Sequence, residues 1–274
     1  MKLFQSLASR VAVAVPGIGL FVLIALLDIP FLTAVFFSLI SALCAAEAIS
    51  LIKPGSGPIT NSVYAALIAG STVAVALLAP ILSITLILVP GAIISIVWIF
   101  SDGVEHARRK TAGITGMSVV LALGFGLLAR LRLDFESSWV LFIPLLICWL
   151  GDSLAYFAGS AFGRHKMAPL ISPAKSWEGF SAGIAGAIGG SVLAGSAGAG
   201  FSIFAMVITG AAGGMAAIAG DLLESAMKRD AGVKDTGSLL RGHGGLLDRF
   251  DSILAVVPVV WILLLLFSDA GVLT

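Results

Sequence analysis

Charge is what this sequence has least of. Across 274 residues only 11% are Asp, Glu, Lys or Arg, while 59% are hydrophobic. A soluble domain of this size needs far more charge to cover its surface, so a water-soluble globule is excluded. Cysteine is nearly missing. Cys44 and Cys148 both lie in apolar runs, without metal-ligand spacing, and no disulfide between them is expected. They read as small core residues. A polar linker, a heptad pattern and a long-period repeat are also lacking, which argues against a tethered soluble domain, a coiled coil or a solenoid. No nucleic-acid partner is expected.

What is present is apolar length. A helix needs about 20 apolar residues to cross the hydrocarbon core. The chain therefore reads as an all-α, polytopic integral membrane protein of about nine spans: 11–28, 31–52, 61–79, 81–100, 112–130, 138–160, 177–197, 201–226 and 251–268. Eight and ten are the neighbouring counts. Lys2 and Arg10 precede the first run, which is read as a retained span because no small-residue cleavage site follows. Pro16, Pro90, Pro144 and Pro258 fall in or near spans and are expected to kink them. Two regions are expected: four spans in residues 1–110, and a C-terminal catalytic region of about five in 111–274.

Lys and Arg placement sets the orientation. With nine spans and a cytoplasmic N-terminus, Arg130 and Arg132 face outward and the other 14 of the 16 basic residues face the cytoplasm. A cell inner membrane location is expected. The seventh and eighth spans carry GFSAGIAGAIGGSVLAGSAGAG and TGAAGGMAAIAG. Such density of small residues lets helices approach closely. Tight packing explains it, with a dimer interface or a lipid-accessible groove as the sharper alternative.

Five acids sit inside or at the edge of spans, where each costs a few kcal/mol at least: Glu47, Asp152, Glu178, Asp221 and Glu224. Asp221, Glu224, Ser225 and Lys228 share one helix face. Glu224 can pair with Lys228, so Asp221 calls for a metal or a cation from another helix. Asp152 and Tyr156 mark one face of the sixth span. Glu47 is read mainly as packing, and Glu178 suits a helix N-terminus. In the 161–178 connection, Ser172, Pro173, Lys175 and Ser176 precede a helix start, which makes a phosphate seat or a plain N-capped loop. Arg164 and Lys166 read as anchors to anionic head groups. The 101–111 stretch, with His106, reads as a solvated basic loop.

The densest charge lies between Ser225 and Asp251, in SAMKRDAGVKDTGSLLRGHGGLLDRFD. Asp248 and Asp251 stand three apart and could join Asp221 as carboxylates for a hard divalent ion. Lys228, Arg229, Lys234 and Arg249 interleave with them. Acids that hold an ion beside bases that hold an anion are what a metal–polyphosphate site needs. The Gly242–Gly245 turn, with His243, lets backbone approach a ligand. A solvated loop obeying the positive-inside rule explains the cations, but neither the acids nor the glycines.

This stretch resembles the signature of the phosphatidate cytidylyltransferases, or CDP-diacylglycerol synthases. The likeness rests on Ser225, Lys228-Arg229, Lys234-Asp235, Gly237, His243-Gly244-Gly245, Asp248-Arg249 and Asp251. Trp149, Asp152, Ala155 and Tyr156 resemble the family's sixth-span motif. Ser172-Pro173, Lys175-Ser176 and Glu178-Gly179 resemble its loop motif. Arg241 departs from the pattern, where proline is common. The first 110 residues match only as apolar spans, with Glu47 as counterpart of an acid there.

The resemblance implies that CTP and phosphatidic acid give CDP-diacylglycerol and pyrophosphate, with Mg²⁺ and room for a second cation. It implies Asp221 and Asp248 as metal ligands, with Asp152 or Asp251 completing the set. Lys228, Arg229 and Arg249 would neutralise the triphosphate, with Asp248 and His243 also in the catalytic group. Ser172, Lys175, Ser176, Lys234, Gly244 and Gly245 would bind substrate. A homodimer among membrane lipids is also implied. The rivals are a CTP-dependent polyprenol- or phytol-type lipid kinase and, in a different class, an ion-coupled transporter with its site near the bilayer midplane.

Overall fold

The computed structural model describes residues 17, 19–27, 29–78, 80–102, 104–237 and 244–269, with backbone alone at 80–85, 99–102, 104–109, 197 and 269. Residues 19–27 are helical, and eight longer helices follow: α1 Pro30–Ile52, α2 Pro58–Leu77, α3 Pro80–Asp102, α4 Val104–Asp134, α5 Phe142–Phe162, α6 Trp177–Ala194, α7 Ile203–Asp230 and α8 Asp251–Asp269. Residues 11–16, 18 and 28 of the first expected span and all of 238–243 lie outside the described residues. Among the described residues, six helices are long and apolar enough to cross a membrane: Pro30–Ile52, Pro58–Leu77, Lys110–Asp134, Ser138–Phe162, Ile203–Asp230 and Asp251–Ser268. The expected span at 81–100 is present as α3, of which Leu86–Trp98 is a shorter apolar stretch. The one at 177–197 is α6, where glycines of near-neutral hydropathy replace aliphatic residues.

Two local expectations change. The 101–111 stretch is helical on either side of residue 103 rather than a loop. Ala, Arg, Lys and Glu are all good helix formers, so charge there does not imply coil. The 161–178 connection is not featureless either. It folds into an antiparallel hairpin of β1 Lys166–Ala168 and β2 Ser172–Ser176, with Lys166 opposite Ser176 and Ala168 opposite Ser172. Among the described residues this hairpin is a small exception to a mainly helical chain.

Contacts in space divide the chain into two units, 1–129 with 233–249 and 130–232 with 250–274. In the first unit, buried hydroxyls tie apolar helices together. The Ser41 and Thr72 hydroxyls meet at 2.8 Å, and those of Tyr64 and Ser118 at 3.1 Å. In lipid, where apolar burial between helices gains little, such pairs and close packing hold helices in register. Phe37 stacks on Phe125 with ring centroids 6.4 Å apart.

In the second unit the glycine stripe packs α6 directly onto α5. A Cβ at Gly190 would strike the Leu146 carbonyl oxygen, and one at Gly186 the Leu150 carbonyl oxygen. Backbone cannot yield as a side chain can. Gly190→Val is therefore expected to lower stability by about 1–3 kcal/mol, read as a fall in the unfolding midpoint in detergent. An unchanged midpoint would show that the helices have room to part. At the far end of the same unit, Asp134 accepts from Arg130 Nε and Trp261 Nε1, each at 2.8 Å. This joins α4 to α8 through a charge-assisted bond.

Candidate functional site

Two pockets differ in chemistry. An apolar groove of about 560 Å³ is lined by Leu154, Phe157, Phe162 and Ala182, among others, and no ionisable side chain. A smaller pocket of about 300 Å³ is lined by Asp152, Tyr156, Ser172, Lys175, Ser176 and Asp221, with small residues between them. Both lie in the second unit. Charge chemistry belongs to the smaller one.

Each polar side chain there has a structural reason for its position. Asp152 is on α5, and Asp221 is on α7. Lys175 is the penultimate residue of β2, directly before the cap of α6. Ser176 is that cap, its buried hydroxyl oxygen accepting from the Gly179 N–H at 3.2 Å. Capping satisfies one of the orphan donors at the helix start. Glu178 on the first turn accepts from the His165 backbone N–H and meets its ring Nδ1 at 2.6 Å. It thereby fastens the start of the hairpin to α6.

The centre of the pocket is an ion pair. Lys175 Nζ lies 2.6 Å from Asp221 Oδ2, and the Ser225 hydroxyl donates to Asp221 Oδ1 at 3.3 Å. Lys175 Nζ is buried and, despite the ion pair, has no hydrogen bond of acceptable geometry among the described residues. An ammonium carries three donors, so this one retains capacity for an anion. Asp152 and Asp221 line this one pocket together with Lys175. One Asp251 oxygen is taken by the Ser252 N–H at 2.6 Å.

Lys228 has a prior attachment: it donates to Glu224 Oε1 at 2.8 Å, within α7. Both side chains are largely buried, 12% and 7% exposed, so the pair is shielded from water. Arg229, in the last helical turn, is exposed. Among the described residues, no three His, Cys, Asp or Glu side chains are grouped closely enough to hold one metal ion.

The remaining sequence candidates fall in the first unit. Lys234 and Arg249 are exposed. Asp248 accepts on Oδ2 from the backbone N–H of Thr236 at 3.0 Å and of Gly245 at 2.7 Å. It lies in a short 3₁₀ turn, Leu247–Arg249, and Gly244 before it has a φ of 79°, which favours glycine. His243 lies outside the described residues. Glu47 is the residue that sequence reasoning placed least well. It is buried on α1, and its Oε2 accepts from the Leu247 N–H at 2.9 Å, 200 residues away. The signals for it in the sequence were an acid inside an apolar span and a counterpart acid in the resembled family.

The family model described as "Cytidylyltransferase family" matches residues 8–267. A protein of Haemophilus influenzae named phosphatidate cytidylyltransferase is 39% identical over 144 residues, 47% of this chain and 49% of the relative. One of Bacillus subtilis with that name is 39% identical over 168 residues, 57% and 58% of the two chains. One of Brucella abortus, again so named, is 34% identical over 194 residues, 68% and 67% of the two. The chain thus spans about half to two thirds of the curated relatives it matches.

Proposed function

We propose, on the premise that this chain belongs to the cytidylyltransferase family, that it transfers the cytidylyl group of CTP to phosphatidic acid. A phosphate oxygen of the lipid bonds to the α-phosphorus of CTP, the α–β P–O bond breaks, and pyrophosphate leaves with its electron pair. The products are CDP-diacylglycerol and pyrophosphate. The observation that carries this reading is the buried Lys175 ammonium, paired with Asp221 yet with donors to spare, in a pocket rimmed by carboxylates.

The lipid phosphate is already an anion, so no strong base is required. The work is alignment and charge neutralisation. Lys175, with the Ser172 hydroxyl, seats a phosphate. Lys228 and Arg229 at the end of α7 lower the charge of the triphosphate, with Lys234, Arg249 and His243 proposed to assist. Asp152, Asp221 and Asp251 suit a divalent cation such as Mg²⁺: oxygen donors, two of them lining one pocket, that among the described residues do not form a closed set of three. That fits the usual ligation of Mg²⁺ by one or two carboxylates plus substrate phosphates. Asp248 is proposed as a further ligand. When bound, the cation neutralises phosphate charge as it develops on the leaving group.

The Lys and Arg bias supports about nine crossings, with the N-terminus and the charged segments on the cytoplasmic side of an inner membrane. A homodimer is part of the same proposal.

Label placement tests the reaction. Purified protein in mixed micelles with phosphatidate and Mg²⁺ is expected to move the α-³²P of CTP into lipid and release γ-³²P as pyrophosphate. Transfer of the γ label to lipid instead would identify a lipid kinase and overturn the reading.

A further inference from the structure

We propose that Glu47 is a positioning residue: its carboxylate clamps together the two limbs of the charged segment that carries Asp248. Both limbs belong to the same unit as Glu47. On the near limb, a Cβ at Gly237 would meet Glu47 Oε1 at 2.6 Å. On the far limb, a Cβ at Gly245 would meet Glu47 Oε2 at 2.5 Å, and the same oxygen takes the Leu247 N–H at 2.9 Å. The carboxylate therefore lies between Gly237 and Gly245, closer to each backbone than a side chain there would allow.

This gives those two glycines a task distinct from contact with a ligand: they leave room for a buried acid. Glu47 is buried in α1, and its Oε1 has no hydrogen-bond partner among the described residues. The Thr236 hydroxyl beside Gly245 is likewise buried without one. An acid so placed in an apolar span is costly unless backbone donors reward it. Leu247 supplies one such donor, directly beside Asp248. Glu47 thus acts through the loop: it holds the backbone at Gly237 and at Gly245–Leu247, just before Asp248, and leaves the chemistry to others.

Hydrogen–deuterium exchange on the full-length protein tests this, with α2 as the reference within the same unit. Glu47→Ala and Glu47→Leu are expected to speed exchange at Thr236–Gly237 and Gly244–Leu247 by about tenfold or more, with α2 unchanged. Glu47→Gln keeps a carbonyl oxygen for the Leu247 N–H. It is expected to hold exchange within about threefold of the parent protein. Turnover should follow the same order, lost in Ala and Leu and retained in Gln. Leu fills the volume without the acceptor, so a Leu variant that behaves like Gln overturns the clamp. So does unchanged loop exchange in Ala and Leu, or exchange raised equally in α2. The effect on turnover rests on the proposed cytidylyl transfer, whereas the exchange pattern does not. Parent protein that shows the pattern yet makes no CDP-lipid would overturn only the reaction.

Discussion

Asp221→Asn is expected to lower kcat/KM for CTP by about 10²- to 10³-fold. The reason lies in the pair it forms with Lys175, 2.6 Å away. In the proposed reaction Asp221 holds that ammonium at the pocket and balances it until an anion arrives. Lys175→Met, which keeps the length and loses the charge, is expected to cost a similar factor. The double variant should be little worse than either, because groups that act as one unit lose their effect together. Steady-state rates with CTP and phosphatidate varied in turn would measure all three. Independent, multiplying losses would mean that the two residues do separate jobs. Asp221→Asn leaves a buried ammonium without its counter-charge, which destabilises by up to about 3–5 kcal/mol when fully buried. Lys175 and Asp221 are 22% and 33% exposed, so the cost here should be smaller. Unfolding midpoints belong beside the rates.

Asp248→Ala is expected to abolish turnover by two routes. It removes an acceptor from the Thr236 and Gly245 N–H groups. Each such donor left without a partner and shielded from water costs about 1–3 kcal/mol. It also removes a charge proposed to act on the cation. Asp248→Asn separates these routes. The amide oxygen can still accept from the loop, so stability should stay near that of the parent protein. The rate should nonetheless fall by about 10²-fold or more. An active Asn variant would reduce Asp248 to a tether, and the metal assignment at this residue would fail.

The helices were legible because their cause is local. Long apolar runs interrupted by Pro30, Pro58 and Pro80 mark where α1, α2 and α3 begin. The polar residues of the pocket were legible as a set, since an acid or a lysine at the edge of a span needs a reason to be there. Which of them meet was not legible. Nothing in spacing says that Lys175 pairs with Asp221, 46 positions on, because that contact depends on how β2 is aimed. The hairpin escaped notice because its strands are short and carry Pro173, which period-two patterning does not favour. Glu47 looked like packing, because its partner at Leu247 is a backbone group and the sequence carries no mark for it.

The first unit is discontinuous: residues 233–249 are packed with 1–129, although 103 residues, 130–232, intervene. An N-terminal deletion that spared every charged motif would still strip away Glu47 and the helices beside it. The early spans, poor in recognisable signature, are therefore not an interchangeable anchor that another membrane tether could replace. A segment synthesised much later packs with them. During biosynthesis that segment can reach its final form only after the chain has come back to helices completed long before.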